Sequence, residues 1–286
     1  MTRPPFGKSE RAPIERPIRV AVVGAAGRMG QLLSAAIEEA HDLELAFAVE
    51  RNLAPLGEEA RAEGEPPTRL EHAAPEELDA VIEFTTARAV PAIAREVERL
   101  GVAWVSGTTG LDEEGKAALA AAGRVAPVLS SPNFSLGIAV LRRLLERAAR
   151  LLPEGWELEI VESHHGAKVD APSGTALVLA DQWVQRRPLD SGRSGSQVHG
   201  RSGRVGPRPA GEVGIHAVRL PEGAGEHRLL LGGRGESLEL IHRAHDRSAF
   251  AHGALEALRW LTAQPPRLYT LDDWSLEEWM SDRHGL

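Results

Sequence analysis

Ile18-Arg19-Val20-Ala21-Val22-Val23-Gly24-Ala25-Ala26-Gly27-Arg28-Met29-Gly30 is the stretch whose reading decides the fold. Ile18 to Val23 is a short apolar run rich in β-branched residues, the composition of a strand buried on both faces of a parallel sheet. The glycine turn follows at once, and Gln31 to Ala40 has helical periodicity. Strand, glycine turn and helix is the context that a dinucleotide-binding loop requires. Glycines let the backbone approach a pyrophosphate, and the free N–H groups of the helix start face it. The spacing G-x-x-G-x-x-G departs from the commoner G-x-G-x-x-G. A glycine turn serving only tight strand–helix packing is the competing reading.

Outward from this stretch, Leu43 to Val49 reads as the next strand and ends in Glu50-Arg51. An acidic residue at that distance from the glycine turn can accept hydrogen bonds from the adenosine ribose diol. Arg51, with Arg28, could instead hold a 2′-phosphate, so the pair suggests tolerance of both NADH and NADPH. A surface ion pair that stabilises little is the alternative. Residues 52–69 are a polar, proline-rich connection. Asp79 to Phe84 is a third strand, closed by Thr85-Thr86, and Ala89 to Leu100 is helical. Val102 to Ser106 is a fourth strand, ended by Gly107-Thr108-Thr109-Gly110. Asp112 to Ala122 is helical, and Val125 to Leu129 is a fifth strand before Ser130-Ser131-Pro132-Asn133-Phe134. Alternating strand and helix implies a parallel, doubly wound sheet. In such sheets ligands lie beyond the carboxyl ends of the strands, and every polar or glycine cluster named here falls at such an end. Singly each is a turn; together they line one edge.

Leu136 to Leu152 reads as a long amphipathic helix leading into a second domain. That domain opens with Trp156 to Val161, which alternates apolar and polar residues as a half-buried strand does. Glu162 to Leu177, ESHHGAKVDAPSGTAL, follows. It carries adjacent imidazoles, His164 and His165, then Lys168, then a helix start at Pro172-Ser173. Gly174 and Thr175 present backbone N–H groups at the positive end of that helix, a seat for a carboxylate or phosphate. Histidine trades a proton near neutral pH, and a nearby lysine can donate one or bind an anion. The plainer reading is a solvated loop with two surface histidines. Arg186 to Gly211 is a long glycine- and arginine-rich loop. Glu212 to Leu220, Glu226 to Gly232 and Glu236 to Arg243 are strand-like. With the Trp156 strand they predict a mixed sheet of four strands, its short connections pointing to mostly antiparallel pairing. Arg247 to Ala263 is the closing helix.

The chain of 286 residues has room for two domains. A net charge of −8 implies no general affinity for nucleic acid or anionic membrane. With no cysteine there is no disulfide and no thiolate chemistry, which fits a reducing cytoplasm. No apolar run approaches the ~20 residues of a membrane helix. The charged, proline-rich residues 1–16 have no apolar core of a secretory signal and read as a disordered tail. His242 and His245 lack a third ligand, so no metal site is expected.

These residues together resemble the 4-hydroxy-tetrahydrodipicolinate reductase (dihydrodipicolinate reductase) family. The resemblance is carried by Gly24 to Gly30, Glu50-Arg51, Phe84-Thr85, Gly107 to Gly110, Asn133-Phe134-Ser135 and His164-His165 through Lys168 to Ala176. Gly206-x-Arg208 with Gly214, Gly225-Glu226-His227 and His242-Arg243-Ala244 with Arg247 add to it. The chain departs from the family pattern at Gly166-Ala167, Thr86 and Pro132, where other members carry different residues.

The resemblance implies an α/β fold: an N-terminal Rossmann-like doubly wound parallel sheet and a second α+β domain built on the mixed four-stranded sheet. Residues 17–135 plus 248–286 would form the dinucleotide-binding domain, and 136–247 the substrate-binding and tetramerisation domain of a homotetramer. It implies NADH or NADPH as hydride donor and a small cyclic imine dicarboxylate as substrate. By family role His164 is the proton donor and acceptor and Lys168 the proton donor. His165, Ser173, Gly174, Thr175 and Arg247 bind substrate. Gly24, Ala25, Ala26, Gly27, Arg28, Met29, Glu50, Arg51, Phe84, Gly107, Thr108, Thr109, Ser131, Pro132, Asn133 and Phe134 bind the cofactor. The chemistry agrees. Hydride added to a conjugated imine builds negative charge that a positioned acid must quench, and hydride transfer would need a closing motion of the domains. A non-catalytic dinucleotide sensor on the same fold is the alternative, but a sensor has no need of proton donors.

Overall fold

The computed structural model describes residues 16–49, 73–187 and 195–274. Along the chain its elements are β1 (Ile18–Val23), α1 (Arg28–Glu38), β2 (Leu43–Val49), β3 (Ala80–Glu83), α2 (Val90–Leu100), β4 (Ala103–Ser106), α3 (Glu113–Ala122) and β5 (Pro127–Ser130). There follow α4 (Leu136–Leu151), β6 (Glu157–His165), α5 (Gly174–Arg186), β7 (Gln197–His199), β8 (Val213–Leu220), β9 (Gly225–Gly233), β10 (Glu236–Ala244), α6 (Ser248–Leu261) and β11 (Arg267–Tyr269). The chain divides into two compact units. One comprises the chain up to Phe134 together with Phe250 onward; the other is Ser135–Ala249.

The first unit is a six-stranded, wholly parallel sheet in the order β11-β5-β4-β3-β1-β2. The order reverses between β1 and β3, because the chain runs from β1 outward to β2 and then returns to the other side. β3 and β4 are buried throughout, as expected of central parallel strands covered on both faces. Helix α2 shows how the cover is built. Val90, Ile93, Ala94, Val97 and Leu100 recur at helical spacing and are all buried, and Gly101, at φ 66°, ends the helix in the left-handed conformation. Asp112 caps α3 by accepting from the Gly115 N–H at 2.9 Å. The five strands expected from sequence are present. The sixth, β11, joins the edge beside β5. Of the residues read as tail, Arg16 is held by Asp79 through two hydrogen bonds of 2.7 and 2.9 Å; the others lie outside the described residues.

The second unit corrects the sequence reading. Its sheet has five strands, not four, in the order β10-β9-β6-β8-β7. Pairing is antiparallel for β10–β9 and β9–β6 but parallel for β6–β8 and β8–β7. The extra strand β7 is three residues inside the glycine- and arginine-rich stretch, too short to carry a period. The parallel pairing follows from α5, which returns the chain to the start of the sheet before β8. The arginines of that stretch close on β6. Arg201 donates to both carboxylate oxygens of Glu159 at 2.9 and 2.8 Å, and Arg208 donates to the Leu158 carbonyl at 3.0 Å. Helices α4 and α5 cover one face. Ile138, Leu141 and Leu145 from α4, with Leu179 and Trp183 from α5, pack on Leu158, Ile160, Val213, Ile215, Leu229 and Leu231. Along β6 every second residue faces this core: Leu158, Ile160, and then an acid, Glu162.

Candidate active site

The expected cofactor residues of the first unit collect at the carboxyl ends of adjacent strands. Gly24 follows β1, Phe84 follows β3, Gly107 follows β4 and Ser131 follows β5. The loops are stitched in register. Gly24 and Ala25 donate to the Val49 carbonyl at 2.9 and 3.2 Å, Gly107 to the Glu83 carbonyl at 2.8 Å, and Ser131 to the Ser106 carbonyl at 3.1 Å. Gly24 has φ +84°, and a Cβ at Gly30 would lie 2.1 Å from the Gly24 carbonyl oxygen. Only hydrogen fits there, which lets α1 begin hard against the loop. The Phe84 ring lies over Gly107, where a Cβ would meet it at 2.2 Å, and meets Phe134 edge-on at 5.8 Å. Within Ser131 to Phe134, the Ser131 hydroxyl donates to the Asn133 carbonyl at 2.8 Å.

The start of α1 fits a bound pyrophosphate. Its N-cap, Gly27, offers no side chain to the first N–H groups, and the first turn carries no acid but does carry Arg28 and Met29. Glu50 and Arg51 lie outside the described residues.

Sequence reasoning missed Glu83. It is fully buried at the end of β3 and accepts from Ser106 Oγ at 2.5 Å, Thr108 Oγ1 at 2.6 Å, and Thr85 Oγ1 and N at 2.9 and 3.1 Å. Burial pushes its carboxyl above the usual range, and these donors only partly oppose the shift. Its side chain therefore ties the loop after β3 to the loop after β4. The signal was an acid closing an apolar strand beside two hydroxyl-bearing strand ends.

In the second unit the polar stretch forms one constellation. His164 shares the inward face of β6 with Glu162, and its Nδ1 lies 2.5 Å from Glu162 Oε2. Alternation sends His165 to the opposite face; it is half-buried, with no side-chain partner among the described residues. The chain turns there, Lys168 donating its N–H to the His165 carbonyl at 3.1 Å. Lys168 Nζ pairs with Asp170 Oδ1 at 2.8 Å. Burial acts to raise the Asp170 carboxyl, but Lys168 and the backbone N–H groups of Asp170 and Gly174 outweigh it and hold it below the usual range. Ser173 caps α5, its hydroxyl accepting from the Ala176 N–H at 3.2 Å, and Gly174 and Thr175 form the first turn. Arg247 lies half-buried between β10 and α6.

Three further residues join this cluster. Arg219, from β8, grips Glu162 through both guanidinium nitrogens at 2.9 and 3.1 Å and donates to the Asp170 carbonyl at 2.7 Å. His227, on β9 directly across from Glu162, places Nε2 3.1 Å from Ser173 Oγ. Burial, aided by the charge of His164, drops the His227 pKa to about 3, so this ring is neutral at physiological pH. His242 places Nε2 2.9 Å from Ser135 Oγ, the cap of α4. Burial lowers the His164 pKa, with Glu162 acting against it. Among the described residues no group of three His, Cys, Asp or Glu could hold a metal ion, and no helix is long and apolar enough to cross a membrane.

Comparison with known proteins gives a consistent result. The family model described as dihydrodipicolinate reductase, N-terminus, matches residues 18–134, and that described as dihydrodipicolinate reductase, C-terminus, matches residues 137–274. The chain is 41% identical over 268 residues to the 4-hydroxy-tetrahydrodipicolinate reductase of Alkalilimnicola ehrlichii, covering 89% of this chain and 97% of that one. It is also 41% identical over 267 residues to that of Rubrobacter xylanophilus, covering 90% and 97%. Among solved structures, a dipicolinate-bound dihydrodipicolinate reductase from Paenisporosarcina sp. TG-14 superposes with a TM-score of 0.71 at 28% identity, covering 89% of this chain and 97% of that one. An engineered D-amino acid dehydrogenase bound to NADP+ shares the fold at a TM-score of 0.50 and 15% identity, covering 94% and 99%.

Proposed function

Because the chain belongs to the dihydrodipicolinate reductase family, we propose that it reduces 4-hydroxy-tetrahydrodipicolinate to tetrahydrodipicolinate, with loss of water, in the diaminopimelate route to lysine. The observation that carries this reading is the constellation of the second unit: His164, Lys168 and the capped start of α5 within one turn of chain. Gly24 to Met29, Phe84, Gly107 to Thr109 and Ser131 to Phe134 would hold NADH or NADPH, with Glu50 and Arg51 at the ribose. Bound there, the reduced nicotinamide supplies the hydride.

The chain's own residues do the rest. The first turn of α5, at Gly174-Thr175, seats a substrate carboxylate on backbone N–H groups, and Ser173, His165 and Arg247 are the further substrate-binding residues of this reading. As hydride adds to the conjugated imine, negative charge spreads along it, and Lys168 delivers the proton that quenches that charge. His164 takes up and passes on a proton at Nε2, its Nδ1 being committed to Glu162. Positioned acids of this kind contribute about 10²–10⁴-fold. The reading is completed by a cytoplasmic homotetramer assembled through the second unit. The exposed Val218, Leu220 and Ile241, on the sheet face opposite the helices, support that assembly.

The test is turnover of NADH and NADPH by the purified protein, with and without the cyclic product of pyruvate and aspartate semialdehyde. Oxidation should depend on that substrate, and Lys168→Ala or His164→Ala should each lower kcat by at least ~10²-fold. Dinucleotide binding with no substrate-dependent oxidation would favour a sensor instead.

A further inference from the structure

We propose that Glu162, clamped by Arg219, is a positioning residue that holds His164 in the Nδ1–H tautomer, so that Nε2 faces the substrate with a lone pair. The inference rests on the reading of His164 given above and adds the group that sets its chemistry.

Glu162 is the third inward residue of β6, after Leu158 and Ile160, and is fully buried. A carboxylate there must be paired and hydrogen-bonded. Four donors meet it. Oε1 accepts from the Ser173 N–H at 3.1 Å and Arg219 Nη2 at 3.1 Å; Oε2 accepts from Arg219 Nη1 at 2.9 Å and faces His164 Nδ1 at 2.5 Å. Three of these four can only donate. Burial acts to raise the Glu162 carboxyl, but Arg219 and His164 outweigh it and hold it below the usual range. An ionised carboxylate accepts and never donates, so the proton between Glu162 and His164 sits on Nδ1. A neutral imidazole has one N–H, which leaves Nε2 as the acceptor.

His164 Nε2 lies against Gly225, at φ +144°, where a Cβ would come within 2.9 Å of it. Arg219 also donates to the Asp170 carbonyl at 2.7 Å, and Asp170 pairs with Lys168 at 2.8 Å. One guanidinium therefore registers both the imidazole and the turn that carries the lysine. The rival view makes Glu162 and Arg219 only an ion pair that fastens β6 to β8.

Glu162→Gln separates the two views. On the Oε1 side the amide would meet only obligate donors, the Ser173 N–H and Arg219. Its NH2 is therefore forced to the Oε2 side, where the one group able to become an acceptor is His164 Nδ1. The proton of His164 must then move to Nε2. The experiment is ring 15N NMR of histidine-labelled protein at neutral pH, with the His164 signals identified by their absence from His164→Gln.

The wild type should show Nδ1–H and the Glu162→Gln variant Nε2–H. kcat should fall about 10²-fold with KM and dinucleotide affinity within about threefold, and Glu162→Asp should restore part of both signatures. Nε2–H in the wild type overturns the inference outright, whether or not any variant folds, and so does an unchanged tautomer in Glu162→Gln. If instead the tautomer reverses and kcat stays, the positioning stands and the catalytic role given to His164 falls.

Discussion

Replacing Glu83 by alanine and by glutamine separates what this side chain holds together from what its charge costs. Alanine removes the acceptor of four hydrogen bonds and leaves the hydroxyl of Ser106, itself fully buried, without a partner. An orphaned buried hydroxyl costs about 1–3 kcal/mol, and the vacated volume adds about 1–2 kcal/mol. A fall of about 5–15 °C in the melting temperature of the first unit follows. Glutamine behaves differently. Its oxygen can stay on the Oε2 side, where the Thr85 N–H must donate, while its NH2 faces Ser106 Oγ, which rotates to accept. The hydrogen bonds survive and the ionisable group is gone.

The sign of the pH effect is fixed by the raised pKa of Glu83. Its stabilising contribution is complete below the ordinary value of 4.5 and is lost as pH rises through the raised folded value. Glu83→Gln should therefore gain on the wild type as pH climbs from 4 toward 8, matching or exceeding it at neutrality. Calorimetry across that range measures this, with dinucleotide titrations at each pH. A glutamine variant whose stability tracks the wild type in parallel at all pH would refute the reasoning. So would an alanine variant within about 0.5 kcal/mol of it.

Two further outcomes follow from the geometry. Gly30→Ala places a methyl 2.1 Å from the Gly24 carbonyl oxygen and 2.6 Å from Ala25 Cα. It should displace the start of α1 and weaken dinucleotide binding at least ~10-fold in fluorescence titration, whereas Gly232→Ala, with nothing within 4 Å, should bind normally. His227 has a folded pKa of about 3 against an ordinary 6.5, so its contribution is whole above 6.5 and drains away as pH falls toward 3. His227→Gln should flatten the acid side of the unfolding profile, read by urea melts between pH 3 and 7.

Much of this was legible because the decisive features are local. The period of Ile18 to Val23, the glycines after it, and the cap at Ser173 each act within a few residues. What escaped depends on distance along the chain. β7 and β11 are three residues long and exist only because a neighbouring edge offers them hydrogen bonds. The direction of β8 beside β6 is set by the path of α5, not by any pattern within β8. Glu83 and Glu162 stand at inward positions of their strands, yet an acid reads as solvent-facing until its partners are known. Those partners are Ser106 and Thr108 for the first and Arg219, 57 residues on, for the second. Glu50 and Arg51, read as ribose ligands, lie outside the described residues.

One of the two edge strands of the first sheet, β11, comes from beyond the whole of the second unit and pairs with β5. During translation the flank of β5 is thus left bare until the second unit and α6 have been made. At ribosomal speeds that interval is on the order of ten seconds. Throughout it, an unpaired parallel flank is open to pairing with other chains.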